Sequence, residues 1–554
     1  MRVFSGAVTL RCWIFVAAVS GLLIVGNLPS PLFAQETASQ GAAAPASPPA
    51  VQPDSTGTHG GAGNDTTVPV ADAKAGLTIK DVADRVGKNV ISINIVWTLI
   101  TGFLVMFMQA GFALVETGLC RAKNSAHTMA MNFMIYPLGM LGFYVCGFAF
   151  MFGGGGGAPA LGTSTAVLDS MCHFQFLGKT FNLIGLKGFF LGPSVYDCGV
   201  FALFLFQMVF MDTTATIPTG TMAERWKFSA FVLYGLCIGT IMYPVYGCWV
   251  WGGGWLAQLG ANFGLGHGTV DFAGSSVVHM QGGVIALIGG WMIGPRLGKY
   301  NKDGSINPIP PHSIPMVMLG TFILAFGWFG FNPGSTLAGT DDRIAIVAVN
   351  TMMAGTTAAL ATYLWMVGPR KMKPDPSMLC NGMLAGLVAI TAPCAFVNSI
   401  SACVIGIVAG VLVVEAVFFI DRVLKIDDCV GAISVHGVNG LWGILSLGLF
   451  ADGTYGAGWN GVGADSYMGV AGKGVTGLFY GDSSQFIAQC IGGLACFTYL
   501  AIISFIVFKV TGALSGGLRV SPEDELDGVD LPEMGVAGYS GFAMDKASET
   551  PHSH

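Results

Sequence analysis

The chain has 554 residues, 53% of them hydrophobic and only 10% charged, with a formal net charge of -6 and a mean hydropathy of +0.65. Soluble domains carry roughly 25% charge, so an ordinary soluble enzyme is excluded, and no cluster of lysine and arginine offers a face to nucleic acid. The 81 glycines are about twice the usual ~7%, and small residues are what let helices approach closely in lipid.

Residues 1–34 read as a signal peptide. Arg2 and Arg11 precede an apolar run from Trp13 to Val25, and turn residues lead to Ala34, after which cleavage is expected. Leu32 is bulky for the −3 position, so a retained anchor is the alternative. Residues 35–76 are rich in Ala, Pro and Ser and too poor in apolar bulk to fold, which makes them a disordered linker. Leu77 to Asn94 reads as a short amphipathic helix opening a membrane domain over residues 77–515, and residues 516–554 form an acidic tail.

The expected fold is an all-α integral membrane protein of about eleven transmembrane helices. The apolar runs lie near Val96–Leu119, Met129–Phe152, Val200–Met222, Phe231–Val250, Val277–Ile293, Met316–Phe331, Ile344–Val367, Met378–Ala395, Cys403–Ile420, Val430–Phe450 and Phe486–Phe508. Arg121, Lys123, Arg225, Lys227, Arg296, Lys299, Lys302, Arg370, Lys371, Lys373, Arg422 and Lys425 fall in alternate loops, while the opposite loops hold only Lys179, Lys187, Arg343 and Lys473. The positive-inside rule then places a multi-pass protein in the plasma (inner) membrane with its N-terminus outside and its C-terminus in the cytoplasm.

Two histidines stand inside apolar runs, His279 in SSVVHMQGGVIALIGGW and His436 in GAISVHGVNGLWGILSLGLF. An ionisable side chain in a span is costly and marks a pathway by default. Each follows a valine and has a glycine four residues on, Gly283 and Gly440, one helical turn away. They fall on the fifth and tenth runs, so a 5+5 inverted repeat would bring them together near the midplane. A single histidine is also explained by a backbone carbonyl, but a matched pair is less so. His59, His173, His267, His312, His552 and His554 fall in the linker, loops or tail, and His127 near a helix end.

Trp251, Phe206, Gln207, Phe210, Phe331 and Ser335 cluster toward the outer ends of their runs. Aromatic faces attract a cation by ~0.5–2 kcal/mol each, and Ser335 can accept from an N–H donor; an interfacial aromatic belt is the competing explanation. Asp271, eight residues before His279, is placed either to fix nearby carbonyls such as that of Ala273 or simply to cap its helix.

The motifs ETGLCRAKN, AERWKFSA, VWGGGW, DFAGSSVVH, GWFGFNPGS, IDDCVGAISVHGVNG and GGLRV, spread from Val96 to Val520, resemble the Amt/Mep/Rh ammonium transporters of the bacterial Amt type. The resemblance implies an eleven-helix protomer in a homotrimer with one pore per subunit. It further implies that Phe210, Trp251 and Ser335, supported by Asp271 and Ala273, recruit ammonium. Phe210 and Phe331 would form a phenylalanine gate, His279 and His436 the paired pore histidines, and Trp328, Phe206 and Gln207 the lining. In such proteins the tail meets PII-type signalling proteins. Two departures stand out: Gly431 replaces an Asp found in many members, and the first span ends AGFALVETG, which carries Glu116, where a helix-end ion pair with Arg121 is favoured over a transport role. Glu415 has no assigned role.

The expected function is therefore ammonium transport, with no enzymatic chemistry, metal or cofactor. A bare ammonium ion in a dry pore costs several kcal/mol, so deprotonation and passage of ammonia past the histidines is expected, the proton's route being open. An ammonium sensor that binds without transport, methylammonium as substrate, and a haem-ligating histidine pair are the alternatives, the last without an accompanying haem motif. Cys172 and Cys198 lie where oxidation is permitted and are candidates for a disulfide.

Overall fold

The computed structural model describes residues 79–462 and 474–539. The expected signal peptide and linker, Lys473 and the last part of the tail lie outside the described residues.

Among the described residues, ten helices are long and apolar enough to cross a bilayer. We number them with one shorter helix in chain order: α1 Ile79–Leu119, α2 Ala122–Phe152, α3 Cys198–Met222, α4 Phe228–Val250, α5 Ser275–Ile293, α6 Ile314–Thr336, α7 Arg343–Val367, α8 Pro376–Ile390, α9 Ser399–Leu424, α10 Ile433–Phe450 and α11 Ser483–Ser515. Two boundaries differ from the hydropathy reading. The amphipathic segment before the first span is continuous with it in one 41-residue helix. The eighth run, expected to reach Ala395, is helical only to Ile390 and then turns at Thr391–Phe396, which leaves α8 at 15 residues.

Local signals set the ends. Asp197 accepts from Gly199 N and Val200 N to start α3, Asn398 from Ser401 N to start α9, and Asp482 from Ser484 N to start α11. Helices α1 and α6 pack through glycines, where a side chain on Gly111 would meet Leu324 and one on Gly118 would meet the Ser313 carbonyl. The rim of the bundle is apolar and exposed, as at Phe103, Phe322 and Ile400, as lipid requires. Helix α3 is the central column: its side chains are buried from Phe206 to Met222.

Among the described residues there is one small sheet. Residues Met171–Phe176 and Lys179–Gly185 form an antiparallel hairpin between α2 and α3, with a register shift after Cys172. Cys172 on this hairpin and Cys198 at the start of α3 are not bonded to each other, so the candidate disulfide is not formed.

The basic loops converge at one end of the bundle. Arg121 reaches Glu224 (Nε–Oε2 2.6 Å), and Arg296 binds Asp427 through Nε, Nη2 and its own amide (2.8–2.9 Å). The buried Arg225 donates to the carbonyls of Ala223, Gly294 and Asp427. Burial would raise the Asp427 carboxyl, but Arg296 and Arg225 overcome it and hold the group well below the usual carboxylate range. Glu116 takes no part in this network. Its carboxylate lies deeper in the bundle, and the expected pair with Arg121 is replaced by Arg121–Glu224.

The segment after α11 folds back under the same end. Arg519 holds Glu525 (2.9 Å), whose other oxygen accepts from Leu297 N (2.7 Å). Asp530 accepts from Ala126 N and His127 N (3.1 and 2.9 Å), and Glu533 accepts from Phe228 N (2.8 Å). These acceptors satisfy first-turn amides of α2 and α4 that have no partner within their own helices.

Candidate functional site

Each central histidine sits on a wide helical turn. Residues Ser275–Met280 and Ile433–Val438 are π-helical before each helix continues as α, a local geometry that recurs at functional positions. Each turn follows a glycine with positive φ, Gly274 at +114° and Gly431 at +81°, and each is preceded by an aspartate, Asp271 buried and Asp428 half-buried. The two stretches share a pattern, Asp271 with Gly274 and His279, and Asp428 with Gly431 and His436.

Asp271 is fully engaged as a cap. Its Oδ1 accepts from Gly274 N and Ser275 N (2.8 and 2.9 Å), and its Oδ2 from Ser276 N, Ser276 Oγ and Val277 N (2.7, 2.7 and 3.0 Å). The carboxylate is a positioning group with no oxygen left for a ligand. Its backbone carbonyl accepts from Trp251 Nε1 (2.6 Å), which fixes the indole. Asp428 repeats the cap on the other side, accepting from Ala432 N, Ile433 N and the Thr221 hydroxyl (3.1, 2.8 and 2.8 Å). The Gly431 departure follows from this geometry, since the position needs a left-handed backbone, and a Cβ there would approach the Asn381 amide to 2.7 Å.

The caps and the crossing of α5 with α10 bring the histidines together. A side chain on Gly283 would overlap the Gly437 backbone, and one on Gly440 would meet Met280 N at 2.7 Å, so only glycine lets the helices cross here. His279 Nδ1 and His436 Nδ1 are 3.1 Å apart, both rings buried. One proton is shared between these nitrogens, because two bare lone pairs would repel. Each Nε2 then points away from the pair, and that of His279 has no hydrogen-bond partner among the described residues.

Above His279 stands a column of rings. Phe210 and Phe331 stack at 4.1 Å between centroids, His279 stacks at 5.3 Å on Phe331 and at 5.4 Å on Trp328, and Phe206 lies 4.7 Å from Phe210. Trp328 is oriented by Nε1 donating to Thr391 Oγ1 (3.0 Å). Trp251 meets Phe210 edge-on at 6.1 Å. An open pocket lined by Trp251, Ser335, Gln207, Phe206 and Phe272 lies beyond them. Ser335 Oγ donates to the Phe331 carbonyl (2.8 Å), leaving its lone pairs free to accept. Ala273 is buried, its amide donating to Thr391 O (3.1 Å).

An open pocket with aromatic walls, a stack of rings and two facing histidines lie in sequence along one line of the bundle. A family model described as Ammonium Transporter Family matches residues 96–539. The chain belongs to the ammonium transporter family. Ammonium transporter Amt2 of Archaeoglobus fulgidus is 42% identical over 81% of this chain and 89% of its own length. The ammonium transporter of Aquifex aeolicus is 34% identical over 78% and 90%. Among solved structures, a Sensor Amt Protein superposes with a TM-score of 0.67 at 34% identity, covering 80% of this chain and 99% of its own. Mep2 of Saccharomyces cerevisiae gives 0.63 at 25%, covering 78% and 88%.

Of the candidate site residues, Phe206, Gln207, Trp251 and Ser335 line the outer pocket, Phe210, Phe331, Trp328, His279 and His436 form the ring column and histidine pair, and Asp271 caps α5 beside Trp251. Two carboxylates were missed or misassigned. Asp428 repeats the eight-residue offset of Asp271 from its histidine, a signal visible in the sequence. Glu116 lines a cavity on the far side of His436 from the ring column. Its depth came from helix packing, which spacing to Arg121 does not report. Glu415 is explained by a bidentate contact with Arg370 and by Trp365 Nε1 donating to it (2.7 Å).

Proposed function

We propose that the transporter recruits ammonium between Trp251, Phe210 and Ser335, strips its proton near the Phe210–Phe331 stack, and conducts ammonia past His279 and His436. The single observation that carries this reading is the 3.1 Å pair of imidazole nitrogens below a closed aromatic stack. An ion would have to shed its water at that stack without any charged group to replace it, at a cost of several kcal/mol. Ammonia passes with far less penalty, and the histidine Nε2 atoms offer it hydrogen bonds.

The matching Asp, Gly and His positions of α5 and α10 support the 5+5 inverted repeat, and the gathering of Arg121, Arg225, Arg296 and Arg519 at one end supports a cytoplasmic assignment for that end. A trimer in the plasma membrane, a PII-type partner at the tail and a cleaved signal peptide complete the proposal by family resemblance.

The test is uptake and current in proteoliposomes given an ammonium pulse. His279→Ala together with His436→Ala should abolish selective ammonium transport in a protein that still purifies folded; unchanged transport removes the pair from the mechanism. The second reading, an ammonium sensor, is favoured by the likeness to the Sensor Amt Protein. Ammonium binding without flux in the unaltered protein would select it.

A further inference from the structure

The mechanism above leaves the far side of the histidines without a proton acceptor. There the structure has a small cavity whose lining includes His436, Phe112, Leu384, Val430 and Glu116. It gives about 20 Å³ to the centre of a water-sized molecule, where about 10–15 Å³ is enough to hold one water. Ammonia has the same number of heavy atoms and fits the same space. Apart from His436, Glu116 is the only titratable side chain on the cavity wall.

The hydrogen bonds around Glu116 indicate which form it takes. Asn132 Nδ2 donates to its Oε2 (2.7 Å). Thr219 Oγ also lies 2.7 Å from Oε2, yet the same hydroxyl stands 2.5 Å from the Thr216 carbonyl. A hydroxyl has one proton, and a carbonyl can only accept. Both short contacts are satisfied when Thr219 donates to Thr216 and Glu116 carries a proton that it donates to Thr219. No side-chain donor reaches Oε1 among the described residues, and this oxygen lies beside the Gly220 backbone. Asp428, the other carboxyl nearby, is occupied as a helix cap by two amides and a hydroxyl.

Resting on the reading of this path as an ammonia pore, we infer that Glu116 is the inner proton station of the transporter. Ammonia leaving His436 meets the protonated carboxyl in the cavity. The O–H bond breaks, a new N–H bond forms on ammonia, and the products are ammonium and carboxylate. The carboxylate recovers its proton from His436, which is replenished by the proton released from ammonium at the outer stack. Atoms and charge balance with one ammonia and one proton crossing per cycle, so transport carries one positive charge.

Glu116→Gln tests this directly. The amide matches the protonated acid in size and neutrality and keeps one of the two bonds at the Oε2 position, acceptance from Asn132 or donation to Thr219, but it cannot release a proton. Current on a solid-supported membrane after an ammonium chloride pulse is expected to fall at least tenfold. Ammonia that still enters then arrives without its proton, so internal alkalinisation, read by a trapped pH dye and absent while ammonia and proton cross together, is expected to appear. Glu116→Asp should recover part of the current. Unchanged current in Glu116→Gln overturns the inference. Ammonia entry without current in the unaltered protein also overturns it while leaving the pore reading intact, and neither signal in the unaltered protein overturns both.

Discussion

Asp271→Asn separates a positioning carboxylate from a residue that merely lies near the site. Five donors converge on the two oxygens of Asp271. An asparagine has one oxygen, so whichever way the amide faces, at least two backbone N–H groups confront an NH₂ group. Bonds to a charged acceptor contribute roughly 1.5–3 kcal/mol each, which puts the loss at roughly 3–6 kcal/mol. With an unfolding entropy of ~2.1 cal/mol/K per residue over the roughly 450 described residues, the melting midpoint falls by about 3–6 °C. Because the Asp271 carbonyl also holds Trp251, half-saturation for ammonium should rise in the same variant. Tryptophan fluorescence during heating of the purified protein gives the first number, and current against ammonium concentration gives the second. A midpoint within 1 °C of the unaltered protein, with unchanged half-saturation, would refute the capping argument.

Gly283→Ala places a methyl group against the Gly437 backbone; overpacking of this kind costs about 1–3 kcal/mol. It should part the histidines and cut transport at least tenfold, whereas Gly87→Ala, where nothing lies within 4 Å, should leave transport unchanged. Gly431→Asp forces a side chain into the left-handed region at about 1–2 kcal/mol, so thermal stability should drop. Asp427→Asn breaks a buried pair and should cost about 3–5 kcal/mol. Its pH signature is specific: the folded carboxyl lies below its unfolded value, so its contribution is present above the usual carboxylate range and is lost as the pH falls through the depressed folded value. Melting midpoints measured down to pH 3 should therefore fall more steeply for the unaltered protein than for Asp427→Asn.

Much of this was legible in the chain because a bilayer makes sequence blunt. Apolar runs of spanning length had to be helices, and His279 and His436 were conspicuous because lipid tolerates few such groups. What the sequence concealed was depth and rotation. Glu116 looked like a helix-end partner for Arg121 because five residues separate them, but α1 continues past it and α3 and α2 close over it. The π turns at Ser275–Met280 and Ile433–Val438 leave no periodic trace, since each spans fewer than two turns. The hairpin at Met171–Gly185 was overlooked because it belongs to a loop, where hydropathy windows carry no length signal. Gly431 looked like a lost carboxylate, and the positive φ that requires glycine is a property of the backbone alone.

The segment that folds under the bundle has a consequence for how the protein is made. Asp530 and Glu533 accept from the first-turn amides of α2 and α4, spans that leave the ribosome some three to four hundred residues earlier. At ~5–20 residues per second, those helix starts wait tens of seconds for their acceptors. Until then their amides face water or headgroups. Completion of the early spans is thus coupled to synthesis of the end of the described chain, and a ribosome that stalls inside α11 releases a bundle with both starts still open.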